Sequence, residues 1–115
     1  MALSIEEYLR HILDETEFLS AGTATLDEAA FLLDETSKRA FVRSLEVIGE
    51  AVKQIPDDIR LKYPNIRWKS IAGMRDKLIH EYFGVDHGIV WDAVTNKIPE
   101  LDATVRKMLD DLYGK

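Results

Sequence analysis

Apolar residues recur at helical spacing along almost the whole chain. Ser4-Ile5-Glu6-Glu7 reads as a capping box, with a serine N-cap and a glutamate three residues on. Behind it Ile5, Tyr8, Leu9, Ile12, Leu13 and Leu19 mark one face of a first helix, which Gly22 is expected to break. Thr25-Leu26-Asp27-Glu28 reads as a second capping box, opening a short helix through Leu33, and Asp34-Glu35-Thr36-Ser37 as a junction rich in cap formers. The next helix has the clearest seam: Phe41, Leu45, Ile48, Val52 and Ile55 alternate steps of four and three, and Pro56 ends it. A short turn or helix fits between Pro56 and Pro64. A further helix covers about 67–82, with Gly84 suited to its C-terminal cap and Asp86 to the next N-cap. From Trp91 the register Val94, Ile98, Leu101, Val105, Met108 and Leu112 survives Pro99, which predicts a last helix kinked there or restarted in line. No stretch alternates like a strand, and no hairpin signal or internal repeat occurs. The pattern predicts a single all-α domain over residues 1–115, a mostly antiparallel bundle of four main helices with additional short ones.

Composition narrows the function classes. With 115 residues, 46% hydrophobic and 31% charged, the chain is an ordinary folded domain. It has no cysteine, which removes disulfides, thiolate metal sites and cysteine nucleophiles together and fits a reducing compartment. No apolar run is long enough to span a membrane, and the N-terminus lacks the basic start and apolar stretch of a signal peptide, so a cytoplasmic location is expected. Net charge is −6, which disfavours indiscriminate nucleic-acid binding. The charge is uneven, however. Between Arg60 and Lys77 lie Arg60, Lys62, Arg67, Lys69, Arg75 and Lys77 against one acid, Asp76. Such a cluster is either a solvated helix face or a local phosphate patch on an otherwise repelling surface.

Residues 75–82, Arg75-Asp76-Lys77-Leu78-Ile79-His80-Glu81-Tyr82, carry the candidate chemistry. Arg75 follows Trp68, Ile71 and Ala72 by seven, four and three residues, so it falls on an apolar stripe and must be paired or face a cleft or interface. Asp76 and His80 are four apart, within reach for the carboxylate to fix the imidazole's tautomer. Arg75 and His80 are five apart, about 140° around an ideal helix. On one regular helix they do not converge, so either the helix loosens or a second chain completes the site. The other two histidines, His11 and His87, are too scattered from His80 to form a metal set, and His11, next to the apolar face of the first helix, reads as a surface or boundary residue. No Gly-rich phosphate loop or other familiar catalytic motif is present.

Arg-(polar)-x-x-x-His followed by x-Tyr, as it stands at Arg75–Tyr82, resembles the signature of HEPN-domain proteins and more closely that of HepT-type toxins. The likeness extends to Leu45-Glu46-Val47-Ile48-Gly49-Glu50-Ala51, Ile66-Arg67-Trp68, Ile71-Ala72-Gly73-Met74 and Ile98-Pro99-Glu100-Leu101. It implies a HEPN helical bundle that forms a homodimer with two Arg–His motifs in a shared cleft. It further implies a metal-independent endoribonuclease, the toxin of a type VII-like toxin–antitoxin pair that acts on tRNA or mRNA, with no cofactor. The implied antitoxin is a nucleotidyltransferase of the MNT type that attaches AMP to Tyr82. In those roles His80 takes the ribose 2′-OH proton and Arg75 stabilises the attacked phosphate. Asp76 would orient His80, and Arg67, Lys69 and Lys77 would hold flanking phosphates. A different class of reading stays open: a non-catalytic helical subunit that presents substrate to the nucleotidyltransferase.

Overall fold

A computed structural model describes residues 3–80 and 84–114, the side chains of Ile79 and His80 excepted. Among the described residues every regular element is a helix: α1 (Ile5–Thr25), α2 (Glu28–Leu33), α3 (Glu35–Lys53), α4 (Asp57–Arg60), α5 (Trp68–His80), α6 (His87–Asn96) and α7 (Ile98–Tyr113). The first cap forms as its sequence requires. Ser4 Oγ accepts the Glu7 N–H at 3.1 Å and Glu7 Oε1 accepts the Ser4 N–H at 2.9 Å, so two orphan donors are satisfied reciprocally. Asp34 closes α2 and caps α3, accepting from Thr36 and Ser37 N–H groups.

Three expectations change, and of the two alternatives at Pro99 one holds. Gly22 does not break α1, which runs on to Thr25. Its missing side chain serves packing instead: a Cβ there would lie 2.7 Å from Phe41 Cζ, so the glycine makes room for a fully buried ring. The second cap is Asp27, whose side chain accepts the Ala30 N–H at 2.8 Å, rather than Thr25. Extension of α1 through Thr25 takes that residue out of contention. Gly84 does not adopt the left-handed conformation of a glycine cap; the positive-φ glycine among the described residues is Gly114, which closes α7. At Pro99 the chain restarts rather than kinks. α6 ends at Asn96, and α7 begins at Ile98 with the proline in its first turn, where a missing N–H costs nothing.

α1 and α3 run antiparallel: Glu15 accepts from Ser44 at 2.8 Å, while Phe18, further along α1, meets Phe41, earlier in α3. α3 then packs its other flank on α5, and α7 covers α1. The seam residues Leu45, Ile48 and Val52 are buried as their spacing predicts, together with Leu9, Ile12, Leu101 and Val105. Each such side chain contributes roughly 1.5–3 kcal/mol by leaving water. The connection before α5 is anchored by two polar bonds. Tyr63 Oη donates to Asp111 at 2.9 Å, and Trp68 Nε1 donates to the Tyr63 carbonyl at 3.0 Å. These hold the start of α5 against α7 and so set the register of the helix that carries the motif. No described helix is long and apolar enough to cross a membrane.

Candidate functional site

The site is built where α5 crosses α3. Gly49 lies one residue past the seam position Ile48, and a Cβ on it would meet Arg75 Cβ at 2.6 Å, Arg75 N at 3.1 Å and the Ile71 carbonyl at 3.1 Å. Only a glycine lets α5 approach this closely. Arg75 therefore packs its stem over Gly49, which explains an arginine on an apolar stripe, and extends its head past the edge of the crossing.

There the guanidinium meets two carboxylates. Arg75 NH1 donates to Asp76 Oδ1 at 2.8 Å, and Nε lies 3.1 Å from Glu50 Oε2. Asp76 in turn accepts from Lys53 Nζ at 3.0 and 3.1 Å. The four form a ladder, Glu50–Arg75–Asp76–Lys53, with balanced charge. The Asp76 bond raises the Arg75 guanidinium above its ordinary pKa, aided by the nearby Glu50 charge. Conversely, the bond from Arg75 and then that from Lys53 hold the Asp76 carboxyl below its usual range. The ladder is part-exposed, with 36% of the Arg75 side chain open to solvent, so it fixes geometry more than it adds stability. Among the described residues Asp76 and Glu50 engage only NH1 and Nε, which leaves NH2 available to an incoming anion.

α5 remains α-helical through His80, so of the two alternatives, a loosened helix or a second chain, loosening does not occur between Arg75 and His80. The backbone position of His80 is thus about 140° around and ~7.5 Å along the helix from Arg75. The His80 imidazole, and with it the expected Asp76–His80 contact, lies outside the described residues, as does all of Tyr82. Lys69 is eleven residues before His80, about 20° away around α5, so the two share a face.

The expected phosphate-binding cations do not gather around Arg75. Arg67 and Lys69 line a groove of about 580 Å³ at the start of α5, with Arg60, Leu61 and Trp68. Lys77 borders a separate hollow with Met74, Leu78 and Ile89. Arg75 opens into a third groove, between α1 and α3, lined by Tyr8, His11, Glu46 and Glu50 among others. Lys53, Glu46 and Glu50 have no role in a reading of the motif alone. Their signal was a glycine inside a helical seam, which marks close approach of another backbone.

The model of the family described as Ribonuclease HepT-like matches residues 5–108. A protein of Caldanaerobacter subterraneus subsp. tengcongensis, named "Putative RNase", is 52% identical over 102 residues, covering 89% of this chain and 91% of the relative. One of the same description from Methanocaldococcus jannaschii is 47% identical over 111 residues, covering 96% and 92%. A "Probable ribonuclease HepT" of Thermococcus cleftensis is 41% identical over 108 residues, covering 94% and 98%. No solved structure matches the chain.

Proposed function

The chain belongs to the ribonuclease HepT-like family, and from that membership and the register of α5 we propose a metal-independent endoribonuclease whose cleft is shared by two copies of the chain. The carrying observation is the unbroken helix from Arg75 to His80. It keeps the two motif positions on different faces, so that Arg75 of one copy works with His80 of the other.

In this reading His80 accepts the ribose 2′-OH proton, and the 2′-oxygen attacks the adjacent phosphorus. The P–O5′ bond breaks and the leaving 5′-oxygen takes a proton from water, giving a 2′,3′-cyclic phosphate and a 5′-OH. Charge building on the phosphoryl oxygens meets the Arg75 guanidinium, whose position the Gly49 crossing and the Glu50–Asp76 ladder preset. Asp76 acts through Arg75 and, within the motif's spacing, orients His80. Arg67, Lys69 and Lys77 hold phosphates further along the strand; Lys69, on the His80 face of α5, lies ~16 Å from it along the axis.

The protein acts as the toxin of a toxin–antitoxin pair, and an MNT-type nucleotidyltransferase silences it by adding AMP to Tyr82. Each AMP brings bulk and about one negative charge to a cleft that must admit phosphate. The test is cleavage of RNA in excess chelator by wild type, His80→Ala and Arg75→Ala. Loss of a general base is typically worth ~10²–10⁴ in rate. Cleavage that chelator abolishes in the wild type, or that survives His80→Ala undiminished, contradicts the mechanism.

A further inference from the structure

The groove that ends at Arg75 has a composition the cleavage chemistry does not use. Its volume is about 310 Å³, within the range of small-molecule sites. Tyr8 and Val47 form half-buried walls, His11 stands at the rim, and Arg43, Glu46, Glu50 and Arg75 supply the charged groups. Glu50 is committed to Arg75. Glu46 is not. Its side chain is only 17% exposed, and its nearest cation is Arg43 NH1 at 3.8 Å, beyond hydrogen-bond distance. Among the described residues no donor hydrogen-bonds to it. A carboxylate so placed, between an aromatic wall and an aliphatic one, is an acceptor waiting for a planar donor.

With two cations and two acids the lining is balanced, so the groove as a whole is no anion site; only its Arg75 end is. Such polarity suits a nucleotide lying with its phosphate outward on Arg75 and its base inward. We propose that this groove is the base-recognition subsite of the enzyme, taking a nucleobase that carries an exocyclic amine, with Glu46 accepting from that amine. Cytosine and uracil are nearly the same size and differ at this edge, N4–H₂ against O4. Uracil held in the same position would set its O4 against the carboxylate, and could pair with Glu46 only by shifting to present N3–H, which a shaped, partly desolvated site penalises. The inference rests on Arg75 as the phosphate-holding group, and so on the proposed function.

Two small probes separate the two ideas: cytidine 3′-monophosphate and uridine 3′-monophosphate, titrated into wild type and Glu46→Gln, with RNA cleavage in chelator measured on the same samples. Wild type is expected to bind the cytidine nucleotide about tenfold more tightly, the discrimination typical of one good base-edge contact. Glutamine offers both a donor and an acceptor, so Glu46→Gln should bring the two affinities within about twofold. Because Glu46 gives up only a long pair with an exposed arginine, the variant's thermal midpoint should stay near that of wild type. Equal affinity in the wild type, no measurable binding of either nucleotide, or a preference that persists in Glu46→Gln overturns the subsite. If Glu46→Gln does not fold, the wild-type comparison alone decides. A cytidine preference without cleavage keeps the subsite and removes the nuclease reading. Cleavage without preference does the reverse.

Discussion

Gly49→Ala tests the crossing on which the site is built. The new methyl would sit 2.6 Å from Arg75 Cβ and 3.1 Å from two backbone atoms, Arg75 N and the Ile71 carbonyl oxygen. Carbon atoms pack comfortably at ~3.5–4.0 Å, so α5 must retreat by about 1 Å, and no side-chain rotation relieves a backbone contact. Overpacking of this kind costs ~1–3 kcal/mol. Alanine returns ~0.5–1 kcal/mol because it loses less entropy than glycine in a helix interior. The net expectation is a loss of up to about 2.5 kcal/mol, centred near 1 kcal/mol, read as a lower denaturant midpoint with an unchanged slope. Cleavage should fall as well, by up to ~10²-fold, because a 1 Å displacement carries Arg75 off the phosphate. Gly73→Ala is the internal control. It lies mid-helix in α5 with nothing within 4 Å of the new Cβ, so only the propensity gain acts and stability should rise by ~0.5–1 kcal/mol. Equal stabilisation by both alanines would show that α3 and α5 are not in close contact at Gly49 and would refute the packing account of Arg75.

Tyr82→Phe should fold and cleave RNA yet gain no AMP-sized additions on incubation with the partner nucleotidyltransferase and ATP; intact-mass spectrometry that still finds those additions places the modification elsewhere. Acid should weaken the fold: the Ser37 hydroxyl and N–H hold the Asp34 cap carboxyl below its usual 3.8, and Arg75 and Lys53 do the same for Asp76. Groups with depressed folded pKa values stabilise above the unfolded value and lose that contribution as pH falls through the folded one. The denaturant midpoint should therefore drop between pH 5 and about pH 3, and an unchanged midpoint would contradict the caps and the ladder. Gly22→Ala should destabilise by ~1–3 kcal/mol, since the clash is with Phe41, which stacks at 4.8 Å on the buried Phe31; a neutral result by thermal melting would show that the ring has room to move.

Periodicity made most of the bundle legible, because a seam such as Phe41–Leu45–Ile48–Val52 has one helical solution and each of its residues is buried. Glycines were less legible. Gly22 and Gly49 look like breaks or bystanders in one dimension, whereas both are packing devices whose partners, Phe41 and Arg75, lie 19 and 26 positions away. Boundaries were ambiguous where two residues compete for one role, as Thr25 and Asp27 do. For the site, spacing alone placed Arg75 on an apolar stripe and away from His80. The ladder around Arg75 was not readable, since Glu50, which pairs with Arg75, and Lys53, which pairs with Asp76, belong to another helix and meet α5 only through the Gly49 crossing. The basic run Arg60–Lys77 reads as one patch in sequence but opens onto several grooves, because a helix turns consecutive cations to different faces.

The central claim is that Arg75 and His80 act from different copies of the chain. Mixing the two single variants tests it directly. In a dimer of one Arg75→Ala copy and one His80→Ala copy, one shared site has lost both groups and the other retains both. After equimolar unfolding and refolding together, half the dimers are of this mixed kind, each with one of two sites intact, so about a quarter of wild-type cleavage should return in chelator. Mixed dimers confirmed by native mass with cleavage no higher than either variant alone, or a wild-type chain that is monomeric while it cleaves, would contradict the account.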